Sequence, residues 1–182
     1  MFMVKSCIGD KNSFAIEYDF IDDERYTELA MYVNNKNILE FDRDGENCTT
    51  CWNLDEIAEW LRKFIDNMNN DPYPVEAEGR YASEKDDNAR EFDSDDAAEF
   101  DRYYDTLDEW CLRHRWHPAS SGGILADVYF QAVDDKVEIS WNNRDMEEYI
   151  TYKYDFGGDS VDKHVFYEVV DSFLKEYAKH WF

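Results

Sequence analysis

Twice along the chain the apolar residues change period, from two to about three and a half, and each change sets strands ahead of a helix. Phe14-Ala15-Ile16-Glu17-Tyr18-Asp19-Phe20 alternates apolar and polar side chains as a half-buried strand does. Residues 29–33 and 38–41 read as two further strands. Asn34-Asn35-Lys36 lies between them as a tight turn, because Asn tolerates positive φ. Leu54, Ile57, Ala58, Leu61, Phe64, Ile65 and Met68 then recur at helical spacing. Asn53 is placed to cap that helix with Glu56 as its capping-box partner, and Asn69-Asn70 closes it before Asp71-Pro72-Tyr73-Pro74.

The last third follows the same order. Residues 124–133 and 136–141 read as strands joined by Asp134-Asp135, and residues 149–156 as a third strand. Gly157-Gly158 is expected to turn the chain and Ser160 to cap a long helix. That helix buries Val161, Val165, Phe166, Val169, Val170, Phe173, Leu174, Tyr177 and Trp181. Val33-Asn34-Asn35-Lys36 and Val133-Asp134-Asp135-Lys136 stand 100 residues apart, each in a hairpin ahead of a helix. The expected class is α+β, with antiparallel sheets and packed helices, and two β-β-α lobes related by duplication are one way to build it. The expected boundaries are a β-rich lobe with one helix over 1–72, an acidic linker over 73–95, and a helix, three-stranded sheet and C-terminal helix over 96–182.

Within the acidic middle, residues 80–91 are expected to be its most flexible part. From Ala97 onward a helix is expected, with Ala97, Phe100, Tyr104, Leu107, Trp110, Cys111 and His114 on one stripe. Asp95 is placed to cap it, and Asp95, Asp96 and Glu99 suit the positive end of the helix dipole. Pro118 and Gly122-Gly123 end it.

Charge narrows the function classes. The chain has 182 residues with 43 acidic and 19 basic side chains, a formal net charge of −24. That equals the phosphate charge of about 12 base pairs. Acidic disordered segments lack rings, whereas this chain carries 6 Trp, 13 Tyr and 12 Phe, ample for a core. No direct binding of nucleic acid or anionic lipid is expected, since both would repel such a surface. A basic protein is the expected partner. No run of about 18 apolar residues is present, so no membrane span is expected. Met1-Phe2-Met3-Val4-Lys5-Ser6 lacks the basic start and apolar stretch of a signal peptide, so a cytoplasmic location is expected.

Motifs for chemistry are sparse. Cys48-Thr49-Thr50-Cys51 is a C-x-x-C ahead of a helix start, the setting of thioredoxin-like redox pairs, yet it follows an antiparallel hairpin. Cys48, Cys51, Cys111 and His114 are the candidate zinc ligands, two clusters at chelating spacing across a long gap. The competing reading puts Cys111 and His114 in the apolar stripe and leaves Cys48 and Cys51 as reduced thiols. Asp42-Arg43-Asp44-Gly45-Glu46-Asn47 lacks the ligand alternation of a calcium loop and reads as a turn. No nucleophile elbow, P-loop or dinucleotide fingerprint is present, and Ser120-Ser121-Gly122-Gly123 is Gly-poor for a phosphate cradle. A non-enzymatic role without a cofactor is expected, with a small zinc-dependent or redox enzyme as the different-class alternative.

A compact, acidic, catalytically unmarked chain of this length resembles the phage and mobile-element anti-CRISPR proteins, especially Cas9 inhibitors, and also the immunity proteins that neutralise nuclease toxins. His114-Arg115-Trp116-His117-Pro118-Ala119-Ser120-Ser121-Gly122-Gly123-Ile124-Leu125, with Val137-Glu138-Ile139-Ser140-Trp141, is similar to a module of bacterial proteins in defence contexts. The resemblance implies an inhibitor of a nucleic-acid-handling protein, with a Cas9-type nuclease as first target and a nuclease toxin as second. Charge density selects Asp93, Asp95, Asp96, Glu99, Asp101, Asp105 and Asp108 as the partner contacts, acting in competition with DNA. The Asp and Glu residues at 17, 19, 22, 23 and 24 are expected to extend the acidic surface.

Overall fold

A computed structural model of the chain describes residues 4–20, 26–116, 125–144 and 148–181. In chain order the elements are β1 Val4–Gly9, β2 Phe14–Phe20, β3 Tyr26–Val33, β4 Lys36–Asn37, β5 Phe41–Arg43, β6 Glu46–Cys48, β7 Thr50–Asn53, α1 Leu54–Phe64 and α2 Asn67–Asn70. There follow α3 Ala82–Ala89, α4 Ala97–His114, β8 Arg115–Trp116, β9 Val128–Val133, β10 Lys136–Asn142, β11 Ile150–Tyr152, β12 Phe156–Asp162 and α5 Lys163–Trp181. The fold is α+β, and every strand pair among the described residues is antiparallel.

Three sheets share the strands. One runs β1-β2-β3-β4, with β7 also on β3; a second runs β12-β10-β9-β8; a third, small one runs β11-β5-β6. The β3–β4 turn has both Asn34 and Asn35 at positive φ, as the sequence predicts, and Asp44-Gly45 makes the same kind of turn between β5 and β6. Asp42-to-Asn47 is therefore a hairpin, with the Asp42 carboxylate accepting the Gly45 N–H at 2.7 Å. Asn53 caps α1 by accepting the Asp55 N–H, while the Glu56 carboxylate accepts from the Trp52 indole.

The two halves are not separate lobes, because one core joins them. Phe166 of α5 stands 5.0 Å from the Phe14 ring of the first sheet and 5.7 Å from the Phe130 ring of the second. Tyr18 meets Phe173 edge-on at 5.6 Å. Alternation along β9 and β10 sorts their side chains. Val128, Phe130, Val137, Ile139 and Trp141 enter this core, while Tyr129 faces a second cluster with Ala82, Ala89, Leu107, Trp110 and Cys111. The second sheet is thus covered on both faces, by α5 on one and by α3 and α4 on the other.

Four expectations need correction. Residues 80–91 do not form a flexible tether. Within 73–95, α3 buries Ala82, Ser83, Asp86 and Ala89 against the sheet. Three of those four are small and one is charged, so hydropathy hides the face. Residues 38 and 39 turn inward after β4, and Ile38 and Leu39 are fully buried. The strand expected over 149–156 is β11, which ends at Tyr152 and pairs with β5 in the N-terminal half. Gly157, Gly158, Ser160 and Val161 lie inside β12, paired to β10, and the long helix starts only at Lys163. The expectations for Pro118, Ser120, Ser121, Gly122, Gly123 and Ile124 lie outside the described residues, as does the Trp181 side chain.

The glycines of β12 mark a close approach rather than a turn. A Cβ on Gly158 would come within 2.6 Å of the Tyr81 ring, which covers the strand at the start of α3. Gly158→Ala is expected to cost about 1–3 kcal/mol in urea unfolding. Tyr81→Ala in the same background should recover part of that loss. An unchanged midpoint for the single variant would show that Tyr81 does not sit on β12.

Candidate protein-binding surface

The candidate surface begins with what anchors α4. Its C-terminal half is bolted to the sheet, since Leu107, Trp110, Cys111 and His114 are buried. Beneath it the buried Asp86 carboxylate accepts from Tyr129 Oη at 2.8 Å and from Cys111 Sγ at 3.2 Å. Arg90 supplies the countercharge, its Nε 3.3 Å from Asp86, and its Nη2 reaches Asp108 of α4 at 3.0 Å. A buried carboxylate without such partners would be strongly destabilising.

The first two turns of α4 bury nothing fully. Residues 95–102 are exposed on every side, and Phe100 keeps 37% of its surface in water. Ala97 and Phe100, expected in the buried stripe, are therefore outside the core. The rings here pack on one another. Phe92 stacks on Tyr103 at 3.9 Å, Phe100 lies 4.6 Å from Tyr104, and Tyr103 meets Tyr104 edge-on at 5.6 Å. Tyr104 Oη lies 2.9 Å from the Arg90 carbonyl and 3.0 Å from that of Phe92, so it ties the preceding loop to the helix. Over residues 91–109 nine carboxylates surround this ring cluster against one cation, Arg102.

The seven acidic residues selected from charge density all lie on this projection, and they divide by role. Asp96, not Asp95, is the helix cap, accepting from the N–H groups of Ala98 and Glu99. Asp93 accepts the Ser94 N–H, and Ser94 Oγ donates to Glu99 at 2.6 Å. Asp108 is neutralised by Arg90. Asp95, Asp101 and Asp105 are the exposed members that make no side-chain hydrogen bond or ion pair among the described residues. Asp101 and Asp105 are one helical turn apart, beside the parallel pair Phe100 and Tyr104. The sequence reading missed the ring cluster itself. Its signal was four rings, Phe92, Phe100, Tyr103 and Tyr104, in thirteen residues.

The wider acidic surface shrinks in the structure. Glu17 is 5% exposed and ion-paired to Lys5 and Lys11, and Asp19 is 9% exposed, so neither extends it. Burial opposes the charge on Glu17, and Lys11 and Lys5 more than offset that, holding its carboxyl below the usual range. Asp22, Asp23 and Glu24 lie outside the described residues.

The candidate zinc ligands do not meet. Among the described residues no three His, Cys, Asp or Glu side chains form a ligand set. Cys51 is exposed on β7, and Cys48 is half-buried at the end of β6. Burial and the neighbouring Asp86 carboxylate push the Cys111 thiol up to about 12, so it stays protonated at neutral pH. The His114 ring stacks on Trp110 at 4.2 Å and its Nδ1–H donates to the Phe130 carbonyl at 2.8 Å. Compared with known proteins, the chain matches no family model, no curated protein and no solved structure.

Burial holds the His114 pKa below its ordinary value, although the Phe130 carbonyl and Asp71 pull the other way. The unfolded chain takes up this proton near pH 6.5, the folded chain only below that. Its contribution to stability is therefore complete above pH 6.5 and falls as the pH drops through that value. Urea midpoints measured from pH 7.5 down to 5 should decline in the native protein and decline less in His114→Gln. An equal decline in both would place the proton on another group.

Proposed function

We propose that this chain is an inhibitory binding protein that blocks a basic, nucleic-acid-handling partner through the projecting half of α4. The observation that carries the reading is a ring cluster set in nine carboxylates at the unburied end of a helix whose other end is locked into the core. Phe100 is exposed among rings that pack on one another, which gives the acidic projection an apolar contact face. Carboxylates speed encounter with a basic surface, and the rings supply the buried contact that holds it. A Cas9-type effector, whose DNA channel is basic, is the first target to test, with DNA competition as the mechanism.

The test is a gel shift of guide-loaded Cas9 on target DNA, titrated with this protein and read beside cleavage. DNA binding and cleavage are expected to fall together. Lost cleavage with DNA still bound would sink the competition mechanism, and no effect on either would sink Cas9 as the target. Asp101→Lys with Asp105→Lys should weaken inhibition about tenfold and flatten its salt dependence. The fold should hold, with stability changed by about 0.5 kcal/mol or less, because both side chains are exposed. Phe100→Ala should weaken inhibition without changing the salt dependence.

A further inference from the structure

On the second sheet, between its surface and the segment leading into α3, lies an open cleft of about 920 Å³. The cross-strand pair Gln131 and Glu138 lines it, directly opposite each other in register, so amide and carboxylate stand side by side on one face. Gln131 is 8% exposed, and its amide has no hydrogen-bond partner among the described residues. The amide faces the open cleft rather than the sealed core, so its oxygen and nitrogen are available to whatever enters. Glu138 holds the Ala82 N–H at 2.7 Å through Oε1. No cation lies within ion-pair distance of it among the described residues.

We propose that this cleft receives a guanidinium group, an arginine side chain presented by a protein partner, forked between the Glu138 carboxylate and the Gln131 amide oxygen. The charge balance favours a cation. Asp71, Glu76, Glu78 and Glu138 line the cleft against Arg80 and Lys85. Those two cations lie over the rings of Tyr81, at 4.9 Å, and Tyr73, at 5.8 Å. Asp71 is engaged by Arg113 at 2.8 Å, which leaves Glu138 as the half-buried carboxylate with acceptor capacity to spare. Burial raises the Glu138 pKa even against the opposing Ala82 N–H, Lys85, the Ser140 hydroxyl and Arg80, the condition that an added cation relieves. A planar fork of N–H donors suits paired acceptors better than a point charge does, which selects arginine over lysine. The aliphatic stem has apolar wall to follow in Val75, Ala132 and Val133.

The proposal shares with the α4 reading only the premise of a basic protein partner, and its test uses no target. The isotope-labelled full chain is titrated with Nα-acetyl-arginine amide and followed by NMR. Saturable shifts are expected at the Gln131 side-chain amide and at the backbone of Gln131, Ala132, Glu138 and Ala82. Nα-acetyl-citrulline amide, the uncharged isostere, should produce none, and Nα-acetyl-lysine amide should bind more weakly. Glu138→Gln keeps an acceptor for Ala82 and should weaken binding about tenfold. Gln131→Leu should also weaken it without lowering the melting temperature, since the amide has no internal bond to lose. Absence of saturable shifts, an equal response to citrulline, or unchanged affinity in Glu138→Gln would overturn the proposal. A failed gel shift with these shifts intact would count against the α4 reading alone.

Discussion

Phe166 is the contact on which the molecule depends. It is fully buried and lies between Phe14 and Phe130, and so between the two larger sheets. Removing such a ring from a packed core costs about 3–5 kcal/mol, a large share of the stability of a domain this size. The rest of α5 follows from this wedge. Phe173 packs on Tyr18, and Tyr177 donates to Asp55 near the start of α1. The crossing of β11 to β5 binds the halves a second time. A chain split into two independent lobes could have neither link.

With α5 on one face of the second sheet, the other face is covered by the smaller apolar cluster around Leu107, Trp110 and Tyr129 together with the buried Asp86 carboxylate. Few large apolar residues are available in 73–95, so α3 docks through small side chains and through Asp86. Three donors converge on that carboxylate, from Tyr129, Cys111 and Arg90, which come from β9, α4 and the end of α3. The arrangement fixes the C-terminal half of α4 and leaves the N-terminal half beyond the sheet. Exposure of the ring cluster is thus a consequence of how the core is built, and its acidity is held at a fixed place on a rigid element.

The fold was legible where hydropathy has a period. The Phe14–Phe20 strand, the capped start of α1 at Asn53 and the Asn34-Asn35 turn stand as the residues predict, whereas the helix expected to run on to Asn69-Asn70 ends at Phe64, and Met68 lies in the short α2. It was illegible where packing reverses a local signal. Gly157-Gly158 reads as a turn because a sequence does not show the Tyr81 ring that needs the missing Cβ. Residues 80–91 read as a tether because Asp86 counts as polar until its partners are known. At the candidate surface the acidic residues were legible as charge, but their division was not. Asp96 caps through the N–H groups next to it, whereas Asp108 is neutralised by Arg90, eighteen residues away, and Asp101 and Asp105 make no ion pair among the described residues. The ring cluster was hidden because Phe100 and Tyr104 also satisfy the spacing of a buried stripe.

Under the proposed binding role, that division bears on how such a surface would discriminate between partners. Asp101 and Asp105 stand four residues apart, about 6 Å along the helix, whereas a duplex carries a charge every 1.7 Å of its axis. One helix therefore cannot reproduce the field of DNA, and at physiological salt its charges are screened beyond about 8 Å. Carboxylates at that density accelerate encounter with any basic surface and distinguish poorly among them. Discrimination has to come from groups that act only at contact: the stacked rings around Phe100 and, on the sheet, an amide and a carboxylate held at fixed spacing by strand register. Both are set by rigid elements, so under the proposed binding role neither would need ordering, and the conformational cost of association would fall on the partner.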